Sequence, residues 1–441
     1  MCIRDRKSRR ICVVTTSRAD YWLLRWLMEE IRDDGDLELQ VAVTGMHLSP
    51  EFGLTCRAIE EDGFEVAARV EMLLSSDTGV GTAKSVGVGV LGFADAFQRL
   101  APDIVVLLGD RFELLSAAVP ALTLAIPIAH LHGGEASRGA IDEHIRHAIT
   151  KLAAIHFPAT EEYRRRIIQM GEDPSRVFNL GTPGLDGLRR LRIPGKEDLE
   201  RELGFELGCT TALVTYHPVT LEKGSASGQA GAVLEAVSRQ GVRAVFTGAN
   251  ADEQGRLINR EIREFCDSSP ERYRFFPSLG AAMYLGCMKH CSFMLGNSSS
   301  GLIEAPSFRL PVVNIGDRQR GRIRAGNVID SPCTVAGIER AIETALSQEF
   351  RQGLRELKNP YDAYGDGNAS RRIKNVLKSI DVSPRCLLYT SDAADDLPCV
   401  DLGGRRIIQK KKLIHVFLTT LIITAYFHYL HMTTLNSPST Y

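Results

Sequence analysis

Two carboxylates just past apolar runs carry the first chemical signal of this chain. Asp110-Arg111 follows the run Ile104–Leu108, and His132-Gly133-Gly134-Glu135 follows Ile126–Leu131. A carboxylate at the end of a buried strand, facing a cleft, is placed to give or take a proton. Two of them on one sheet can hold different proton affinities and divide acid and base roles. The paired glycines let the backbone approach a ligand closely. His132 reads either as a partner of this site or as core packing, and core packing is the expected reading. Asp142 and Glu143 open the next helical stretch, where Asp142 and Arg146 are neighbours one turn apart.

A second set of residues suits an anion. Thr15-Thr16-Ser17-Arg18-Ala19-Asp20 follows the first apolar run and opens a helix, so backbone N–H groups can face an anion there. Arg18 adds a charge-assisted contact to phosphate. No GxGxxG is present at this turn, so a dinucleotide fingerprint is unsupported. His217 and Asn250 follow two later runs, each within reach of a nucleotide. Gly296-Asn297-Ser298-Ser299-Ser300-Gly301 then turns into a helix that includes Glu304. A nest of N–H groups with Ser298 and Ser299 hydroxyls takes phosphate oxygens. Glu304 suits the two hydroxyls of a ribose, each donating a hydrogen bond. Arg318, Arg320 and Arg322 follow the last run and suit a diphosphate. Proton-transfer carboxylates beside a diphosphate cradle point to chemistry on a nucleotide-linked sugar.

The elements that must position these groups alternate between strand and helix. Predicted strands are Ile11–Thr16, Leu39–Thr44, Ile104–Leu108, Ile126–Leu131, Ala154–Pro158 and Val177–Leu180 in the first half. The second half has Ala212–Tyr216, Arg243–Thr247, Tyr273–Phe276, Phe293–Leu295 and Pro311–Ile315. Near-continuous apolar runs mark strands covered on both faces. Longer amphipathic stretches such as Tyr21–Arg32 fill the gaps, so parallel, doubly wound sheets are expected. The pattern restarts after Gly181-Thr182-Pro183-Gly184. The fold class is therefore α/β of the GT-B type, two doubly wound Rossmann-like domains with a cleft between them. The expected division is 7–185 for the carboxylates and 195–380 for the nucleotide.

Composition narrows the classes. The chain has 441 residues, 44% apolar, with a net charge of −1. No general field for nucleic acid or membrane surfaces follows from that balance. Ten cysteines are scattered without a disulfide framework, which fits a reduced, cytoplasmic compartment. Cys287 through Cys291, with His290, is too compact for a zinc site, and buried helix cysteines are expected. Residues 1–6 and 386–390 can be encoded by one oligonucleotide read in opposite orientations. Residues 1–6 and 386–441 are accordingly expected to be translated sequencing adapter, not native and not ordered, and are set aside. Leu413–Leu430 is apolar and about the minimum length of a membrane span. Its two histidines and its place after adapter-like sequence argue against an anchor.

Together these residues resemble the UDP-N-acetylglucosamine 2-epimerases over residues 9–380, and most closely their hydrolysing branch, which feeds sialic-acid synthesis. The resemblance is carried by Ser17-Arg18-Ala19-Asp20-Tyr21, Gly109-Asp110-Arg111-Phe112, His132-Gly133-Gly134-Glu135, Ile145-Arg146-His147-Ala148 and Gly296-Asn297-Ser298-Ser299. It implies that UDP-N-acetylglucosamine and water become N-acetylmannosamine and UDP, through elimination across carbons 1 and 2 to a glycal. By the same resemblance Asp110, Glu135 and Asp142 or Glu143 are catalytic, with Arg111 and Arg146 in support. Arg18, His217, Asn250, Ser298, Ser299, Glu304 and Arg318 would hold UDP. No metal or redox cofactor is implied, and a homo-oligomer is expected. The non-hydrolysing branch usually shows Gly-Thr-Arg-Pro-Glu at the first turn and a nearby lysine. This chain has Ser17-Arg18-Ala19-Asp20 and Leu23 there, which favours hydrolysis and leaves one proton-relay position unassigned.

Three other readings stand beside this one. The same chemistry could act on a UDP-2,4-diacetamido-trideoxy sugar. A GT-B glycosyltransferase would keep the nucleotide site but need an acceptor groove. A non-catalytic nucleotide-sugar binder would have its carboxylates turned away from the cleft.

Overall fold

The computed structural model describes residues 8–76, 78–136, 141–217, 226–249 and 255–382. The expectations for residues 1–6, 386–441 and Leu413–Leu430 lie outside the described residues. Among those described, no helix is long and apolar enough to cross a membrane.

Among the described residues, twelve strands form two six-stranded sheets, and every strand pairing within them is parallel. The first sheet contains β1 (Arg9–Thr15), β2 (Leu37–Thr44), β3 (Val66–Val70), β4 (Ile104–Leu108), β5 (Ile128–Leu131) and β6 (Ile155–Phe157). The second contains β7 (Thr211–Thr215), β8 (Arg243–Thr247), β9 (Tyr273–Phe276), β10 (Phe293–Gly296), β11 (Val312–Ile315) and β12 (Val328–Ser331). Their orders are β3-β2-β1-β4-β5-β6 and β12-β11-β10-β7-β8-β9. Read from its β9 edge, β9-β8-β7-β10-β11-β12, the second order repeats the first. This is the expected GT-B architecture.

Successive side chains in a strand face opposite ways, and the cores follow that rule. Ile11 and Val13 enter one core of the first sheet, while Cys12 and Val14 enter the other. The second sheet has the same two-sided arrangement, with Val214 on one face and Leu213 on the other. Cys287 and Cys291 are buried there, as the sequence predicts.

Three features depart from expectation. Val177–Leu180 is not a strand; it makes a single bridge, Val177 to His156. Its strand partner is the three-residue β6, and the chain turns at Gly181 (φ 90°) before a ladder can extend. Strands β3 and β12 were not foreseen. Both are edge strands carrying an exposed charged residue, Arg69 or Asp330, so neither shows a continuous apolar run. The third concerns the last helix, Ala369–Ser379, which returns to the first half. Ile373 and Leu377 sit in the first core, and the Asp186 carboxylate accepts from Ala369 N (3.0 Å) and Ser370 N (2.8 Å). A division near 185–195 remains our proposal, with this helix assigned by packing to the first half.

In each sheet the chain reverses its winding direction between two neighbouring strands, β1 and β4 in one, β7 and β10 in the other. Ligands of open parallel sheets bind outside the strand ends at such reversal points. The segments after β1, β4, β7 and β10 are those carrying Arg18, Asp110, His217 and Ser298.

Candidate active site

The first turn is tied down from within. Asp20 accepts hydrogen bonds from Thr16 N (2.9 Å), Ser17 N (2.9 Å), Thr15 Oγ1 (2.8 Å) and Thr16 Oγ1 (2.7 Å). Two N–H groups foreseen as anion ligands are thus already used, because Asp20 caps the helix Arg18–Arg32. The capped turn leaves Ser17 and Arg18 lining a cavity.

After β4, Gly109 takes φ 89° and Asp110 accepts a charge-assisted hydrogen bond from Arg146 Nη2. Arg146 is 1% exposed, and burial followed by the nearby charge of Arg322 pushes its guanidinium down to about 9. It still carries its proton at neutral pH. Arg111 binds the fully buried Glu113 through Nη2–Oε1 (2.8 Å). Buried His130 meets Gly109 O through Nε2 (2.8 Å), and burial pushes it down to about 3. This neutral imidazole fixes the turn that presents Asp110.

The loop after β5 needs unusual backbone. His132 has φ 61°, in the left-handed region that is strained for a side-chain-bearing residue. Gly134 has φ 75°, and a Cβ there would lie 2.7 Å from Tyr163 O. That backbone brings His132 Nδ1 to 2.8 Å from Glu135 Oε1. The core-packing expectation for His132 is therefore corrected: it is buried, but as a direct partner of Glu135. Arg322 Nη2 approaches the other oxygen of Glu135 at 3.6 Å. Burial alone would raise the Glu135 carboxyl, but Arg322 and His132 outweigh it and hold it below the ordinary glutamate value.

Asp142 and Glu143 lie in the first turn of helix Ile141–Leu152. Both are half-buried, and Glu143 Oε1 is 3.9 Å from His147 Nε2. Arg146, one turn on, reaches across to Asp110. The structure thus brings Asp110 and Arg146 together.

In the second half, Gly296 is forced by geometry. At φ 136°, a Cβ would lie 1.9 Å from Thr215 O of the adjacent strand. Asn297 follows, fully buried, and clamps His217 from both sides: its Oδ1 accepts from His217 N (2.7 Å) and its Nδ2 donates to His217 O (2.8 Å). Burial and then the charge of Arg318 push the His217 ring down to about 3, so it is neutral. Arg318 Nη1 donates to Asn297 O at 3.2 Å. Burial pushes the Glu304 carboxyl up to about 7. Of the three loop arginines, Arg318 faces the cavity, Arg322 faces Glu135, and Arg320 is an exposed partner of Asp317. The expectation that all three face one anion is corrected, because adjacent turns of the loop point them apart.

A cavity of 490 Å³ joins the halves, lined by Ser17, Arg18 and Arg111 on one side and by His217, Ser298, Ser299, Glu304 and Arg318 on the other. Asp110, Glu135, Asp142, Glu143 and Arg146 do not line it. Asp110 directly precedes the lining residue Arg111. Asn250 lies outside the described residues. Trp22, Trp26 and Tyr284 also line the cavity, and sequence reasoning missed them. Aromatic residues on amphipathic helices look alike whether they face core or cleft. Glu113 was missed too; a buried glutamate two residues after an arginine reads as an ordinary surface pair. Among the described residues, no group of three His, Cys, Asp or Glu is placed to hold a metal.

Comparison with known proteins points one way. A family model described as UDP-N-acetylglucosamine 2-epimerase matches residues 29–378. The chain is 42% identical over 345 residues to the GDP/UDP-N,N'-diacetylbacillosamine 2-epimerase (hydrolyzing) of Campylobacter jejuni, covering 78% of this chain and 89% of that protein. It is 39% identical over 380 residues to the UDP-N,N'-diacetylbacillosamine 2-epimerase (hydrolyzing) of Legionella pneumophila, covering 86% and 98%. In fold it matches the UDP-GlcNAc 2-epimerase of Neisseria meningitidis bound to UDP-GlcNAc, with a TM-score of 0.71, 17% identity, and coverage of 83% of this chain and 99% of that one.

Proposed function

The chain belongs to the UDP-N-acetylglucosamine 2-epimerase family, and on that premise we propose that it is a hydrolysing 2-epimerase whose substrate is a UDP-2,4-diacetamido-trideoxy sugar. The products are UDP and the free sugar inverted at carbon 2. Sequence reasoning placed UDP-N-acetylglucosamine first. The two hydrolysing relatives favour the diacetamido sugar instead.

One observation carries the reading. A single loop touches both functional sets: Arg318 bonds Asn297 beside Ser298, and Arg322 approaches Glu135. These two contacts support reading the acidic loop of the first half and the serine turn of the second as parts of one site. The proposed reaction begins with UDP held by Arg18, Ser298, Ser299 and Arg318, with Glu304 on the ribose hydroxyls and His217 and Asn250 beside it. The carbon-2 proton is weakly acidic, so removal needs both a positioned carboxylate and a stabilised leaving group. Asp110, Glu135 and Asp142 or Glu143 supply the proton transfers, with Arg146 holding Asp110, His132 and Arg322 beside Glu135, and Arg111, paired with Glu113, supporting the turn after Asp110. The base takes the carbon-2 proton as the bond from carbon 1 to UDP breaks, giving a glycal. Water adds its oxygen to carbon 1, and a proton returns to carbon 2 on the opposite face.

Turnover of the two UDP sugars tests the substrate. Full-length protein is expected to show a kcat/KM at least about tenfold higher for the diacetamido sugar than for UDP-N-acetylglucosamine, the discrimination expected when a site binds one more polar group. A preference for UDP-N-acetylglucosamine would return the assignment to the sugar first expected.

Glu304 gives a pH prediction. Its folded-state value of about 7 lies above the free value of 4.5. The stability linked to this group is therefore fully present below pH 4.5 and is lost as pH rises through 7. Ribose hydroxyls donate more strongly to its carboxylate than to its neutral acid, so UDP affinity should weaken as pH falls through 7. Calorimetric titration with UDP checks this, with Glu304→Gln as the reference that lacks the proton. Parallel pH profiles for the two proteins would remove Glu304 from the ribose.

A further inference from the structure

We propose that Tyr163 and Tyr361 are positioning residues that hold Arg322 against Glu135 by clamping both backbone groups of Ile323. The inference rests on the reading of Glu135 as a group that moves a proton. Ile323 N donates to Tyr163 Oη at 3.0 Å, and Tyr361 Oη donates to Ile323 O at 2.9 Å. The two hydroxyls are 3.3 Å apart. A one-way ring satisfies every group: Ile323 N–H to Tyr163, Tyr163 O–H to Tyr361, and Tyr361 O–H to Ile323 O.

Both tyrosines are 0% exposed, in an apolar cluster with Ala159, Leu185, Leu302 and Ile303. Packing alone would be served by phenylalanine at either position. Buried hydroxyls must be bonded to be tolerated there, so their presence marks a demand for position. The same helix, Glu161–Gln169, also supports the carboxylate loop from below. Gly134 packs on Tyr163 O, and Arg166 Nη1 donates to Gly134 O at 2.5 Å. One helix therefore fixes Glu135 from one side and, through Tyr163, its partner Arg322 from the other. Loss of either hydroxyl strands a backbone group of Ile323 and frees the arginine that follows Gly321.

The groups facing Glu135 are His130 and His132 from its own segment, Arg322 from the loop, and Tyr163 and Tyr361. Of these, only Arg322 is released by the tyrosine changes. The test uses full-length Tyr163→Phe and Tyr361→Phe. With whichever UDP sugar the parent turns over, kcat should fall by about tenfold or more, as for other small misplacements of a reacting group. The limb of the kcat–pH profile set by Glu135 should move alkaline by about one unit, because an opposite charge has moved away. Affinity for UDP should stay within about twofold, since the loss falls on the reaction step. A destabilised fold without altered site geometry would lower the melting temperature and leave the pH profile in place. Unchanged kcat and pH profile in both variants overturns the proposal. Glu135→Gln separates the two layers. Full turnover in that variant sinks the reading of Glu135 and the clamp with it, whereas an inactive Glu135→Gln beside unaltered tyrosine variants sinks the clamp alone.

Discussion

Asp110→Asn is expected to lower turnover by about a thousandfold or more while leaving UDP bound, the scale for losing a positioned acid or base. The substitution keeps the shape of the side chain and removes its charge. Asp110 follows β4 at the reversal point of the first sheet, on a turn fixed by Gly109 and neutral His130. Its carboxylate is held by buried Arg146, whose charge would then lack this partner. Some stability should be lost as well, on the order of 1–3 kcal/mol for a buried group left without its bond. The proposed UDP contacts, Ser298, Ser299 and Arg318, line the cavity and Asp110 does not, so calorimetry with UDP should give parental affinity. Rates near the parent would take Asp110 out of the mechanism.

Gly296→Ala should be the most damaging small substitution in the second half. The added methyl would lie 1.9 Å from Thr215 O, an atom of the neighbouring strand that cannot rotate aside. The backbone at φ 136° is also one that L residues rarely adopt. Destabilisation of more than about 4 kcal/mol is expected, in the range reserved for strain that nothing nearby can relieve. Gly316→Ala is the control. Its φ is 67°, but the space around it is open, so it should cost about 1–2 kcal/mol. Denaturant unfolding of both variants reads the difference. A Gly296→Ala protein as stable as the control would mean that β7 and β10 do not approach this closely.

Much of the architecture was legible because buried parallel strands announce themselves. Val105, Val106 and Leu107 are apolar and wholly buried because helices cover both faces of β4. The edge strands β3 and β12 were missed, since each turns an exposed charged residue to solvent, whereas the edge strands β6 and β9 were legible. The positions of Asp110, Arg18 and Ser298 could be placed from the strand ends that precede them. What they touch could not. The His132–Glu135 contact depends on a left-handed backbone that histidine does not advertise. The Arg322–Glu135 contact joins segments that meet only when the two sheets face each other. Asp20 shows the opposite problem: a turn that looks open to an anion is partly closed by its own cap.

The most direct test of the central claim is incubation with the UDP sugar in heavy water, with both products identified. The account predicts free UDP and an inverted sugar carrying deuterium at carbon 2, because the original proton is lost to a carboxylate that exchanges with solvent. A UDP-linked epimer without free UDP, or a released sugar that keeps its original hydrogen at carbon 2, would contradict it.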